Sequence, residues 1–219
     1  MIDLRFVAAL VAGYLLGAVP VGLLVGRFYR RVDVRNYGSR RTGATNVLRT
    51  LGPGAAVCVA LGDVLKGALA VLVARQLFLA EPVTALHVAE VLAGLGALAG
   101  HNWSVFIRWS GGRGVLVSAG AVLVMFPPVI PACGLAALAV IALSRFVSLG
   151  SLVAVVLTAL SILTFVALGV EPRPYAAFAI IGATVIILQH RDNIERLLAG
   201  TERKLGQSEP LRPPSGGAA

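Results

Sequence analysis

The chain has 219 residues, 58% hydrophobic and only 13% charged, with a mean hydropathy of +0.87. Soluble domains carry roughly 25% charged residues, so the composition excludes an ordinary water-soluble globule and specifies an all-α integral membrane protein, divided into spans of about 20 residues. The formal charge of +9 would suggest nucleic acid in a soluble protein; here the cations cluster between apolar runs, where anionic lipid and a cytoplasmic location account for them, and no nucleic-acid partner is expected.

Residues 4–26 form the first apolar run, followed at once by Arg27, Arg30 and Arg31. A cleaved signal peptide carries its positive charge in front; charge behind the run predicts a true span with its N-terminus outside. Gly13 and Gly17, then Gly22 and Gly26, are spaced for close helix packing. A loop over 27–53 contains the stretch Tyr37 to Arg49, rich in glycine, hydroxyls, an amide and arginine, and ends at Gly52-Pro53-Gly54. Glycine lets a backbone approach a ligand, and hydroxyls, amide N–H groups and arginine forks are what a phosphate needs. A basic loop that only sets topology is the plainer reading of the same residues.

The second span, 54–79, is interrupted by Asp63 and Lys66, which share a helix face and are placed to pair. Charges inside a span are costly, and they read either as functional groups or as a mutually neutralised pair. Glu81-Pro82 marks a turn and 84–100 a third span. A second polar segment, Gly100 to Gly114, holds His101, Trp103, Trp109 and Arg113, with Gly111, Gly112 and Gly114 freeing the backbone around that arginine. The apolar stretch 115–143 is broken by Pro127, Pro128 and Pro131. Cations before and after it require an even number of crossings, which two short helices or a re-entrant hairpin supply.

Residues 149–170 give another span, 171–174 a turn, and 175–189 the last span. A short amphipathic helix then starts near His190 and stops at Gly200. Residues 207–219 are rich in Pro, Gly and Ser and read as a disordered tail. Residues 1–206 are thus expected to form a single polytopic domain of seven transmembrane helices, N-terminus outside and C-terminus cytoplasmic. Fifteen of the 19 Lys and Arg fall in the four segments assigned inside; the others are Arg5, Lys66, Arg75 and Arg173. That asymmetry supports the orientation and puts all three polar segments on one face. Cys58 and Cys133 lie in apolar runs and read as small buried hydrophobes, and the three histidines are too scattered for a metal cluster; neither metal nor cofactor is expected. No Ser-His-Asp order or carboxylate pair stands out, so chemistry here would run on positioning and electrostatics.

The motifs Gly38-Ser39-x-x-x-Gly43-Ala44-Thr45-Asn46, Lys66-Gly67, Gly100-His101 with Gly111-Gly112-Arg113-Gly114-Val115, and His190-Arg191-x-Asn193-Ile194-x-Arg196-Leu197-x-x-Gly200-Thr201-Glu202 occur in one order, each at a span boundary or in a span. Together they resemble the acyl-phosphate:glycerol-3-phosphate acyltransferases, the PlsY family. The resemblance implies a bacterial inner-membrane enzyme of seven helices with its active site facing the cytoplasm. It would transfer a fatty acyl group from acyl phosphate to the sn-1 hydroxyl of glycerol 3-phosphate, the first step of phospholipid synthesis, giving lysophosphatidic acid and phosphate. By the same resemblance the catalytic set is Ser39, Arg113, His190 and Asn193. Substrate-binding positions are Gly38, Gly43, Thr45, Asn46, Arg49, Lys66, His101, Gly111, Gly112, Gly114 and Glu195. Substrate positioning and a substrate phosphate acting as the base are what the family implies for the reaction. Departures from the family pattern are Arg40-Arg41 where Gly-Asn is usual, Arg113 where Lys is usual, and the absence of a proline after Gly100-His101. A paralogue that binds or moves an anionic lipid precursor without chemistry is the alternative reading; nothing in the sequence specifies an oligomeric state.

Overall fold

The computed structural model describes residues 3–207. The tail expected to be disordered lies outside the described residues, apart from Gln207. Among the described residues every regular element is helical. Four helical segments, 4–30, 53–77, 83–107 and 147–167, are long and apolar enough to cross a membrane, and three more apolar helices are shorter.

The first run is two helices, α1 (Leu4–Ala18) and α2 (Val21–Arg30). The expected single span breaks at Val19-Pro20 because proline lacks the N–H that would continue the ladder. The break exposes carbonyls in an apolar interior, where each needs a partner. Ser104 Oγ donates to Ala18 O at 2.6 Å, and Lys66 Nζ donates to Val19 O at 2.9 Å. The expected loop that follows is partly helical: α3 (Ala44–Leu51) sits within it. Its inward face carries Asn46, Val47 and Thr50, so two of its three buried side chains are polar and no apolar periodicity marks it.

α4 (Pro53–Leu77) and α5 (Val83–Asn102) follow the predicted spans. α6 (Val115–Met125) and α7 (Val129–Ser144) meet at the prolines, as two short helices. α6 has 11 residues, only ~16 Å of helix, about half of a ~30 Å hydrocarbon core. Arg75 on α4 completes its end, Nη2 donating to Val124 O at 2.8 Å. The same guanidinium pairs with the fully buried Glu90 of α5. The chain then runs through α8 (Val147–Ala167), α9 (Pro174–Gln189) and α10 (Arg191–Leu198). Tyr175, in the first turn of α9, donates its hydroxyl to Glu90. Glu90 therefore ties α4, α5 and α9 together, and Arg75 adds α6.

Glycine sets the helix contacts. A Cβ at Gly17 of α1 would lie 2.1 Å from Ala97 O of α5, and one at Gly120 of α6 would lie 1.9 Å from Val64 O of α4. Gly22 and Gly26 instead seat α2 against the backbone of Thr42 and against Val34. α7 packs chiefly on α8, and α8 in turn on α9. Cys133 is buried, but Cys58 is exposed on the outer face of α4, contrary to the expectation that both would be buried.

Gly120→Val should remove on the order of 3 kcal/mol of stability by overpacking, read as a lower thermal midpoint in detergent. Gly134→Ala, where an added Cβ would meet nothing within 4 Å, should leave the midpoint unchanged or raise it.

Candidate active site

The three polar segments meet. Thr42 N–H donates to Gly111 O at 3.4 Å, Arg113 Nε to Gln189 O at 3.3 Å, and Arg49 Nη2 to Arg203 O at 3.2 Å. The first wall is a turn followed by α3. Gly38 and Arg40 both have positive φ, +58° and +56°. Asn46 shapes this turn: its Oδ1 accepts from Ser39 N–H at 2.9 Å, and its Nδ2 lies 2.9, 3.2 and 2.8 Å from the carbonyls of Val34, Tyr37 and Arg41. The Ser39 backbone is thereby fixed.

The second wall is Gly111 to Gly114. The end of α5 presses on it so closely that a Cβ at Gly112 would lie 2.1 Å from His101 Nε2. Gly112 N–H in turn donates to His101 O at 3.1 Å. His101 is held from behind: its Nδ1 lies 2.9 Å from Lys66 Nζ, which sits 3.0 Å from Asp63. The expected Asp63–Lys66 pair thus has a third member.

The third wall is the α9–α10 junction. Ile186 O lies 2.8 Å from His190 Nδ1. A carbonyl only accepts, so Nδ1 carries the proton and Nε2 keeps a lone pair. Burial, together with the charge of Arg113, outweighs the Ile186 bond and lowers the His190 pKa to about 4, so the ring is neutral near pH 7. Asn193 Nδ2 donates to Glu202 Oε1 at 2.7 Å. That fixes the amide orientation and leaves Oδ1 buried without a partner among the described residues. Glu202 also accepts from Ser148 Oγ and from Arg196 Nε, each at 2.8 Å. Burial pushes its pKa up, but these three donors prevail and hold it below the usual carboxylate range. Arg113 is pushed down to about 10, first by burial and next by the charge of Arg41, and remains a cation at neutral pH.

Two cavities border these walls. A polar one of ≈ 220 Å³ is lined by Gly38, Arg40, Asp192, Arg196 and Arg203. A larger one of ≈ 490 Å³ runs inward between α6, α7, α8 and α9, with Val122, Ile162 and Phe178 among its deeper lining residues. Ser39, Arg49, Arg113, Asn193 and Glu202 line both. Gly43, Thr45, Asn46, His101, Gly112, Gly114 and His190 line the larger one. Lys66, Gly111 and Glu195 line neither. Lys66 is turned toward Val19 and His101, and Gly111 backs onto His101 O. Glu195 is exposed, because two residues at about 100° each place it opposite Asn193 on α10. The carboxylate that lines both cavities is Glu202, within the last motif but not singled out from sequence. Among the described residues no three His, Cys, Asp or Glu side chains gather as a metal would need.

A helical membrane protein in which a cation-lined hole and an apolar groove share one wall can bring an anionic water-soluble molecule against an anionic amphiphile. Comparison with known proteins gives the same class a narrower definition. The glycerol-3-phosphate acyltransferase family matches residues 7–200, and the chain belongs to that family. It is 46% identical over 198 residues to a glycerol-3-phosphate acyltransferase of Synechococcus sp. (strain CC9902), covering 90% of this chain and 94% of that one. It is 41% identical over 213 residues to glycerol-3-phosphate acyltransferase 3 of Dehalococcoides mccartyi, covering 94% and 99%. The crystal structure of PlsY (YgiH), an integral membrane glycerol 3-phosphate acyltransferase, in its glycerol 3-phosphate form superposes with a TM-score of 0.81 at 34% identity, covering 92% of this chain and 96% of that one. The lysophosphatidic acid form of PlsY gives 0.79 at 33% identity, with the same coverage.

Because His190 is neutral in the fold and an unfolded histidine titrates near 6.5, the unfolded chain binds more protons between about pH 4 and 6.5. Stability should therefore fall as pH drops through that window, by up to roughly 3 kcal/mol from this residue. Denaturation in detergent at stepped pH checks this, and His190→Gln should flatten the slope.

Proposed function

We propose that the protein transfers a fatty acyl group from acyl phosphate to the sn-1 hydroxyl of glycerol 3-phosphate. The observation that carries this reading is the wall common to both cavities. An acyl phosphate has an apolar tail and a dianionic head, and the apolar groove ends at arginines. Glycerol 3-phosphate has a phosphate and two hydroxyls; the polar hole offers arginines for the first and, on the wall it shares with the groove, Asn193 Oδ1 as an acceptor for the second, with His190 Nε2 a further acceptor on the groove side. Relatives named for this acceptor, and solved structures in glycerol 3-phosphate and lysophosphatidic acid forms, support the same assignment.

In the reaction the acceptor oxygen attacks the acyl carbon. The new ester C–O bond forms as the bond from the acyl carbon to the phosphate oxygen breaks, and the hydroxyl proton leaves on a phosphate. The donor is a mixed anhydride and already activated, so the protein needs no covalent nucleophile. With a pKa of about 4, His190 suits orienting a hydroxyl as an acceptor better than storing its proton. Ser39 donates to a phosphate, and Arg113 and Arg49 balance charge that moves onto the leaving group.

The four long and three shorter apolar segments read as seven crossings of a bacterial inner membrane by a single polytopic domain, residues 1–206. The N-terminus lies outside, and the cation-rich walls and the C-terminus face the cytoplasm. The groove follows α9 from His190 to Phe178, twelve residues or ~18 Å of helix, close to half of a ~30 Å hydrocarbon core. It therefore suits a donor with the chain length of a membrane lipid.

The protein in lipid, supplied with acyl phosphate and glycerol 3-phosphate, should release phosphate and make lysophosphatidic acid. Uptake of either anion into proteoliposomes without acyl transfer would instead establish the binding-or-transport alternative. Ser39→Ala and Arg113→Ala should each lower turnover at least about tenfold, ~1.4 kcal/mol of transition-state stabilisation. Gly182 lies midway along the groove, with only Phe178 and Leu98 within 4 Å of an added Cβ. Gly182→Phe should suppress transfer of long acyl chains while sparing short ones, measured across a series of acyl phosphates.

A further inference from the structure

The Arg40-Arg41 pair is where this chain departs most from the pattern of the proteins it resembles, and the structure sends its two side chains to different places. Arg40 is exposed, borders the small polar cavity, and holds a backbone φ of +56° that glycine adopts without strain. Arg41 is half-buried and lines the large cavity together with Ser39, Arg113 and His190. Its backbone is pinned by the 2.8 Å bond from Asn46 Nδ2 to Arg41 O, so it is a fixed part of the wall.

Charge at this point is unbalanced. Among the described residues neither Arg41 nor Arg113 is ion-paired to a carboxylate. Of the two acids that line the same cavity, Asp63 is paired with Lys66 and Glu202 already accepts from Ser148, Asn193 and Arg196. Both cations line the one cavity, and of the charges acting on Arg113 that of Arg41 has the largest effect. Two neighbouring cations in a partly apolar site are unfavourable until an anion lies between them. The polar cavity has cations of its own in Arg40, Arg196 and Arg203, and shares Arg49 and Arg113 with the groove. Two anion positions therefore flank Ser39, and two anionic reactants must be present together for acyl transfer.

We propose that Arg41 is a substrate-binding residue, which with Arg113 grips the phosphate of the acyl donor where the apolar groove opens, leaving the polar cavity to the phosphate of the acceptor. This assignment rests on the acyltransferase reading for the identity of the donor. Both guanidiniums present planar forks that match phosphate oxygens, whereas the asparagine usual at this position in the family pattern brings no charge.

The test compares wild type, Arg41→Asn and Arg41→Lys, with steady-state kinetics in each substrate and calorimetric binding of a non-reactive acyl phosphonate. Arg41→Asn should raise KM for acyl phosphate about tenfold, the loss of one charge-assisted contact, and weaken phosphonate binding by a similar factor, with KM for glycerol 3-phosphate within twofold of wild type. Arg41→Lys keeps the charge and loses the fork, and should fall between the two. It decides the matter even where the asparagine variant does not fold. An unchanged donor KM, or a rise confined to glycerol 3-phosphate, would overturn the proposal. Absence of turnover in the wild type would refute the acyltransferase reading by itself. Phosphonate binding would then still decide the role of Arg41, since equal affinity in wild type and both variants refutes it.

Discussion

In an apolar interior an unmet carbonyl has no water to turn to, and most of the architecture follows from how this chain meets that demand. Pro20 breaks the first apolar run, and the carbonyls left behind are taken up by Lys66 and Ser104. α6 ends after 11 residues, and its terminal carbonyl region is completed by Arg75. Lys66 can serve Val19 only because Asp63 balances it, and Arg75 can serve Val124 only because Glu90 does. Buried ions act here as fasteners for irregular backbone. The first fastener also holds His101, and His101 presses on the glycine loop that carries Arg113. The geometry of the site thus begins at a helix break one layer behind it.

The site itself separates donors from acceptors. Ser39 and the arginines present N–H and O–H groups on one side. The α9–α10 junction presents two acceptors, Asn193 Oδ1 and His190 Nε2, whose orientations are set by Glu202 and by Ile186 O. Under the proposed reading, a phosphate and a hydroxyl are thereby told apart by the polarity of the groups they meet. Glu202 neutralises part of a strongly basic pocket by pairing with Arg196, and accepts from Ser148 and Asn193 as well.

Apolar runs, the asymmetric distribution of cations and the two proline turns were legible in the sequence, because bilayer thickness and the positive-inside tendency act on composition directly. So was the meeting of three polar segments, since charge placed them on one face. α3 was not legible: its buried face carries Asn46 and Thr50, which bond to backbone inside a loop and leave no apolar period. Lys66 could be placed on a helix face but not aimed, because its direction depends on the Val19 carbonyl released by Pro20, 47 residues earlier in the chain. Glu90, an acid inside the third apolar run, was not matched to Arg75 from sequence, because nothing in the spacing shows that the two meet across α4 and α5, although together they pin four helices. Glu195 was expected at the site and Glu202 was not; the phase of α10 turns the first outward, and the return of the chain after Gly200 brings in the second.

The wall shared by the two cavities has a consequence for how reactants of opposite solubility meet. Under the proposed reading the protein behaves as a phase-transfer catalyst. The acceptor remains in water, the donor tail remains in oil, and only a carbonyl and a hydroxyl cross the boundary, at Ser39, Arg113 and Asn193. The product is formed already partitioned, tail in the hydrocarbon and head at the surface. Its departure calls for release of head-group contacts and lateral diffusion, with no step in which an acyl chain is carried through water.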